Sequence, residues 1–246
     1  MATAPQPLDA INALSAEEVQ TRLSGPPEQV AAFVREAAEG GSAEAQAVYG
    51  QMLLDGYGVR ADERTAVRWF AAAAKQGHRV AINMIGRCYD LGWGVAVDKA
   101  RAAECFRSAA QRGLDWGMYN YATALALGQG VAQDRAQALI WLRKAAELGN
   151  AKAINFIGSF HEDGWVVDRD MEAAADYYRR AAEGGDFRGQ FNHARMLISA
   201  SRTQDAQPWL KRSAKGCTQR FAVQAANWLR DNGLAAEASL FESAQA

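Results

Sequence analysis

A fixed spacing constrains this chain more than any other feature. An Ala-Ala pair begins at Ala37, Ala73, Ala109, Ala145 and Ala181, each 36 residues after the last, and a Ser-Ala pair follows at Ser213 after 32. The clearest copy runs from Ala145 to Arg180, AAELGNAKAINFIGSFHEDGWVVDRDMEAAADYYRR. A period of about 20–50 residues marks a solenoid, in which one supersecondary unit stacks on copies of itself. For 246 residues the usual expectation of one or two globular domains gives way to one continuous array. Its expected parts are a tail and helical cap at 1–36, full repeats at 37–72, 73–108, 109–144 and 145–180, a shortened repeat at 181–212 and a helical cap at 213–246.

Each full unit reads as helix A, a Gly-containing loop and helix B. Small residues recur at two places in helix A: Ala45, Ala81, Gly117, Ala153 and Gly189, then Gly50, Gly86, Ala122, Gly158 and Ala194. Glycine inside a helix costs about 1 kcal/mol relative to alanine, so its periodic return predicts helices too close for a larger side chain. Bulky i, i+4 pairs lie between them, Tyr49 with Leu53, Ile85 with Tyr89, Tyr121 with Leu125 and Ile157 with His161, and form the expected core stripe. In the loops DGYGVRAD, LGWGVAVD, LGQGVAQD and DGWVVDRD, the leading glycines (Gly56, Gly92, Gly128, Gly164) fit a left-handed helix stop. The closing aspartates (Asp62, Asp98, Asp134, Asp170) fit caps for helix B. Helix B then carries a bulky pair such as Trp69-Phe70 or Tyr177-Tyr178, and the unit closes on Gly77, Gly113, Gly149 or Gly185.

The ends diverge, as terminal units must cover an otherwise exposed apolar face. Residues 1–7 are expected to fray. Ser15-Ala16-Glu17-Glu18 fits a capping box before a short helix to about Leu23, and a proline starts a second helix ending at Glu39. The fifth unit is four residues short and lacks the Gly-x-Gly loop, and a last A-type helix is expected over about Gln219–Asp231.

The unit AAExGxxxAxxxxGxxxxxGxGVxxDxxxAxxWxxx resembles the Sel-one-like repeat, a relative of the tetratricopeptide repeat, over about residues 37–233. That resemblance implies an all-α fold, a right-handed α/α superhelix (solenoid) of about five two-helix repeats plus helical caps. It also implies a non-catalytic scaffold or adaptor that presents a concave surface to protein or peptide partners in bacteria. Cysteine-rich members linked to β-lactam binding carry a disulfide in each repeat, a pattern absent from this sequence.

Little in the residues points to catalysis. The Gly-x-Gly loops follow helices, whereas a dinucleotide site needs a preceding strand, so they read as turns. His78, His161 and His193 share no helical metal-ligand spacing, and Cys88 and Cys105 sit at core positions. No catalytic, cofactor or metal residue is expected. A net charge of −1 gives no general attraction for nucleic acid or anionic lipid. The three cysteines match no disulfide framework, and the first residues lack the basic and apolar regions of a signal peptide. A cytoplasmic monomer is the expectation, with no nucleic acid or membrane partner.

Binding is left to the residues the pattern does not use. Helical geometry places a stripe opposite the core on each helix A, and six such helices about 8–10 Å apart would line a groove of roughly 50 Å. On it fall Asn83, Arg87, Trp116, Tyr119, Asn155, Arg188, Phe191 and Arg195. Trp116 and Tyr119 put large amphipathic aromatics where architecture does not demand them, and such groups dominate binding hot spots. Residues 186–220 hold seven basic groups against Asp186 and Asp205, a local excess of +5 suited to an acidic or aromatic-anchored partner. Two other classes stay open: an enzyme like the β-lactam-linked members, and a nucleic-acid binder using this basic run.

Overall fold

The structure, a computed structural model, describes residues 15–243; the expected fraying of residues 1–7 lies outside them. Fourteen helices and no strand occur among the described residues. The chain divides into two compact units, residues 1–133 and 134–246.

The first unit contains α1 (Ala16–Leu23), α2 (Pro27–Glu39), α3 (Ala43–Asp55), α4 (Glu63–Lys75), α5 (Arg79–Leu91), α6 (Lys99–Gln111) and α7 (Asp115–Leu127). The second contains α8 (Arg135–Glu147), α9 (Ala151–Asp163), α10 (Met171–Glu183), α11 (Phe187–Ser199), α12 (Thr203–Gly216), α13 (Gln219–Asp231) and α14 (Ala235–Ser243). Within each unit the helices pack on the next in sequence, except that α12 packs on α14, and successive A helices also touch, α5 on α7 and α9 on α11. This is the nearest-neighbour packing that a repeat dictates.

Local chemistry sets the boundaries. Ser15 accepts from the Glu18 amide while the Glu18 carboxylate accepts from the Ser15 amide, a complete capping box. Asp62, Asp98, Asp134 and Asp170 each cap the following B helix through side chain to amide bonds of about 3.0 Å. Gly56, Gly92, Gly128 and Gly164 end the A helices in the left-handed region that favours glycine. The second loop glycine has a different cause. A Cβ on Gly58 would fall 2.0 Å from the Pro27 carbonyl oxygen, and one on Gly130 would fall 1.9 Å from that of Lys99, so the loop lies directly on the start of the preceding B helix. In the fourth repeat Val166 holds this position at φ 56°, a rare backbone for a β-branched residue.

The mid-helix glycines are steric. A Cβ on Gly50, Gly86 or Gly158 would come 2.6–2.8 Å from the ring of Phe70, Phe106 or Tyr178, and on Gly117 or Gly189 as close to the Ala-Ala pair of the preceding B helix. Both recurrent features of the sequence therefore meet at one seam. The second member of each helix B pair is the buried one: Phe70, Phe106, Leu142, Tyr178 and Leu210. The first member, Trp69, Trp141 or Trp209, is only half-buried.

Candidate partner-binding surfaces

In the first unit α5 and α7 lie side by side, and their facing residues have distinct fates. Asn83 is 5 % exposed and its Oδ1 accepts from the Asn120 side chain at 2.9 Å, so it ties the two helices together. One turn earlier on α7, Trp116 stands 47 % exposed and meets the half-buried Tyr119 edge to face, with ring centroids 6.2 Å apart. One turn later on α5, the Arg87 guanidinium lies 4.7 Å over the Trp93 ring. Arg87, Tyr119, Asn120 and Asp90 wall a cleft of about 180 Å³, floored by Ala103 and Phe106. Lys99, also on its rim, is held by Asp90 at 2.6 Å.

The second unit repeats part of this arrangement. The Asn192 side chain donates to Asn155 Oδ1, again at 2.9 Å, and Asn155 is likewise buried. Arg195 grips Glu162 with two bonds of 2.9 and 2.7 Å, and the Tyr178 hydroxyl donates to the same carboxylate at 2.6 Å. Burial opposes the charge on Glu162, but the bonds from Arg195 and Tyr178 and the Arg195 charge outweigh it and hold the carboxyl below its usual range. Phe191 is 6 % exposed and packs edge-on against Phe221, Trp228 and Phe241, inside the core of this unit. Arg188 remains exposed, with its guanidinium 4.8 Å over Phe187 and 5.6 Å over Phe221. Lys152 Nζ lies 5.2 Å from the Phe187 ring centroid.

The eight residues expected on an open stripe thus separate into three groups. Asn83, Asn155 and Phe191 are buried between helices, where their side chains serve packing. Arg195 is committed to Glu162. Trp116, Tyr119, Arg87 and Arg188 remain at accessible surfaces, the first three together in one unit. Sequence reading missed Glu162, whose partner lies 33 residues away on the next A helix, and the shelf of Phe187 and Phe221 under Arg188.

The titratable groups outside these surfaces have structural work. His78 Nδ1 accepts from the Ala81 amide and caps α5, while Nε2 lies 2.9 Å from Glu44. His161 stacks on Tyr177, and His193 meets Trp209 edge-on. Burial pushes the Cys88 thiol up to about 11, which keeps it protonated and non-nucleophilic at neutral pH. Among the described residues no cluster of three or more His, Cys, Asp or Glu could hold a metal ion, and no helix is long and apolar enough to cross a membrane.

The Sel1 repeat family model matches residues 43–78, 79–114, 117–150 and 151–186. The chain belongs to the Sel1 repeat family. Sel1 repeat proteins generally mediate protein interactions, and their fold is typically a non-catalytic scaffold. Among solved structures, a Sel1 repeat protein from Oxalobacter formigenes is similar at 25% identity and a TM-score of 0.77, covering 94% of this chain and 99% of that one. A protective antigen of uropathogenic Escherichia coli with the same fold is 28% identical at a TM-score of 0.70; the match covers 99% of this chain but 56% of the antigen. An immunity protein from Pseudomonas aeruginosa, at 19% identity, a TM-score of 0.56 and coverage of 82% and 81%, shares the fold. No curated protein sequence matches the chain.

Proposed function

We propose that this Sel1 repeat chain is a bacterial, non-catalytic scaffold that binds a protein or peptide partner through the A-helix faces of its repeats. The observation that carries the reading is Trp116, a large aromatic left 47 % exposed on α7, edge to face with Tyr119 and on the same helix as part of a cleft wall. Burying an exposed tryptophan is among the largest contributions a single residue makes to an interface. In the second unit, exposed Arg188 on its two phenylalanines offers a cation on an apolar base, suited to an acidic or aromatic partner group.

The test compares proteins that co-purify from the native host with wild type and with the Trp116→Ala, Arg188→Ala double variant. The reading expects at least one partner to be lost from the variant while its helical circular dichroism is unchanged. An unchanged partner set would contradict it.

The reading also places the protein in the cytoplasm, supported by Cys88, Cys105 and Cys217, all of which are free thiols in the structure. Titration of the native protein under denaturing, non-reducing conditions should find three thiols. Fewer than three would favour the disulfide-bearing, β-lactam-linked type instead.

A further inference from the structure

The internal repeat supplies its own comparison for Arg87. Arg87 and Arg195 occupy the same repeat position, three periods apart. At Arg195 the guanidinium holds Glu162 in a two-bond clasp and reaches the side chain three residues back, Asn192, at 3.5 Å. At Arg87 the guanidinium again reaches three residues back, to the Met84 sulfur at 3.7 Å, and lies over Trp93 in the loop after its own helix, where Arg195 lies 5.9 Å from the ring centroid of Trp228 on the next A helix. The carboxylate differs too. The residue matching Glu162 is Leu54, and no carboxylate pairs with Arg87 among the described residues. The planar guanidinium fork suits one ligand class best, a carboxylate taken by two parallel bonds.

The adjoining cleft says what should accompany that carboxylate. At about 180 Å³ it is smaller than the roughly 300–1,000 Å³ of small-molecule and cofactor sites. It is large enough for one bulky side chain, and its floor of Ala103 and Phe106 is apolar. Lys99 on the rim is already neutralised by Asp90. Arg87 is therefore the charge that discriminates.

We infer that the cleft beside Arg87 binds a peptide segment of a partner carrying an acidic side chain next to a large apolar or aromatic one. The acidic group pairs with the Arg87 guanidinium as Glu162 pairs with Arg195, and the apolar group enters the cleft beside Tyr119. This rests on the binding reading above and specifies its ligand in the first unit.

The test is a random-peptide display selection on the immobilised full chain, run in parallel on wild type, Arg87→Gln and Leu54→Glu. Leu54→Glu puts a carboxylate at the position from which Glu162 reaches Arg195, so it should block the site from within. Wild type is expected to enrich peptides pairing Asp or Glu with Phe, Tyr, Trp or Leu, and both variants to lose that enrichment. A synthetic copy of an enriched peptide should bind both variants at least about tenfold more weakly, as should the same peptide with its acid changed to the amide, in line with a lost charge-assisted clasp. Matching urea midpoints for the three proteins would exclude misfolding as the cause, and Arg87→Lys should restore part of the affinity.

Enrichment without acidic residues, or enrichment unaffected by Arg87→Gln, would overturn the inference. So would Arg87-dependent self-association in sedimentation, which would make a second copy the occupant. If the Trp116→Ala, Arg188→Ala variant loses partners while selection shows no acidic preference, this inference fails alone. If neither effect appears, both fail.

Discussion

At the scale of single residues, most of the recurrent small positions answer to steric fit. Adding a methyl at Gly158 forces it to 2.6 Å from the Tyr178 ring, which is buried and cannot retreat. Gly158→Ala should therefore destabilise the fold by about 1–3 kcal/mol, the usual range for overpacking, although alanine is the better helix former. Urea denaturation measures this directly; an unchanged midpoint would refute the close approach. Glu162→Gln tests the half-buried clasp with Arg195. Because the Glu162 carboxyl is held below its usual range, its contribution is fully present above the unfolded value of about 4.3 and is lost as pH falls through the folded value. Wild type should exceed the variant at pH 7 by about 1–3 kcal/mol, and the gap should narrow as pH falls below about 5. A gap independent of pH would contradict this account. Residue-level binding roles were the least legible part of the sequence. A stripe drawn by helical periodicity cannot say where the next A helix abuts, and Asn83, Asn155 and Phe191 fall at that contact. Arg195 read as available because its partner, Glu162, sits in the preceding repeat, a pairing that only the stacking of units creates.

At the scale of elements, punctuation in the sequence was legible almost to the residue. The last A-type helix was expected over Gln219–Asp231 and occupies that span, because Thr218 caps it through the Phe221 amide and Gly233 turns the chain after it. The eight helices of the four full repeats each run 13 residues, and each A helix among them ends on a glycine in the left-handed region. Loop glycines read as helix stops proved to have a second duty, the close approach of Gly58 and Gly130 to the preceding B helix, which no local signal reveals. Val166 breaks that rule at φ 56°. Val166→Gly should remove the strain and stabilise the protein by about 0.5–1 kcal/mol, a rare case where glycine is the stabilising choice. A rise in melting temperature would show it, and a fall would mean that the valine side chain packs usefully there.

At the scale of the whole molecule, the period marked a solenoid, because a single unit cannot bury its apolar face without neighbours, and the helix patterning with the Sel-one-like resemblance made it all-α. Since each unit leans mainly on the next, excising residues 109–144 rejoins two copies in register and should leave a shorter, helical, soluble chain. Circular dichroism would check this, and loss of helical signal would contradict modular stacking. The same deletion removes Trp116, so the shortened chain should also lose Trp116-dependent partners. Recognition then depends on what the architecture leaves over, which is why partner chemistry emerged only when packed and accessible residues could be separated. The most direct test is hydroxyl-radical footprinting of the chain alone and in complex with a co-purified partner. Trp116 and Tyr119 should become protected in the complex, while Ile140 and Leu148, exposed on and just after a B helix, label as before. Equal labelling of Trp116 in the free and bound chain, or protection confined to the B helices, would contradict it.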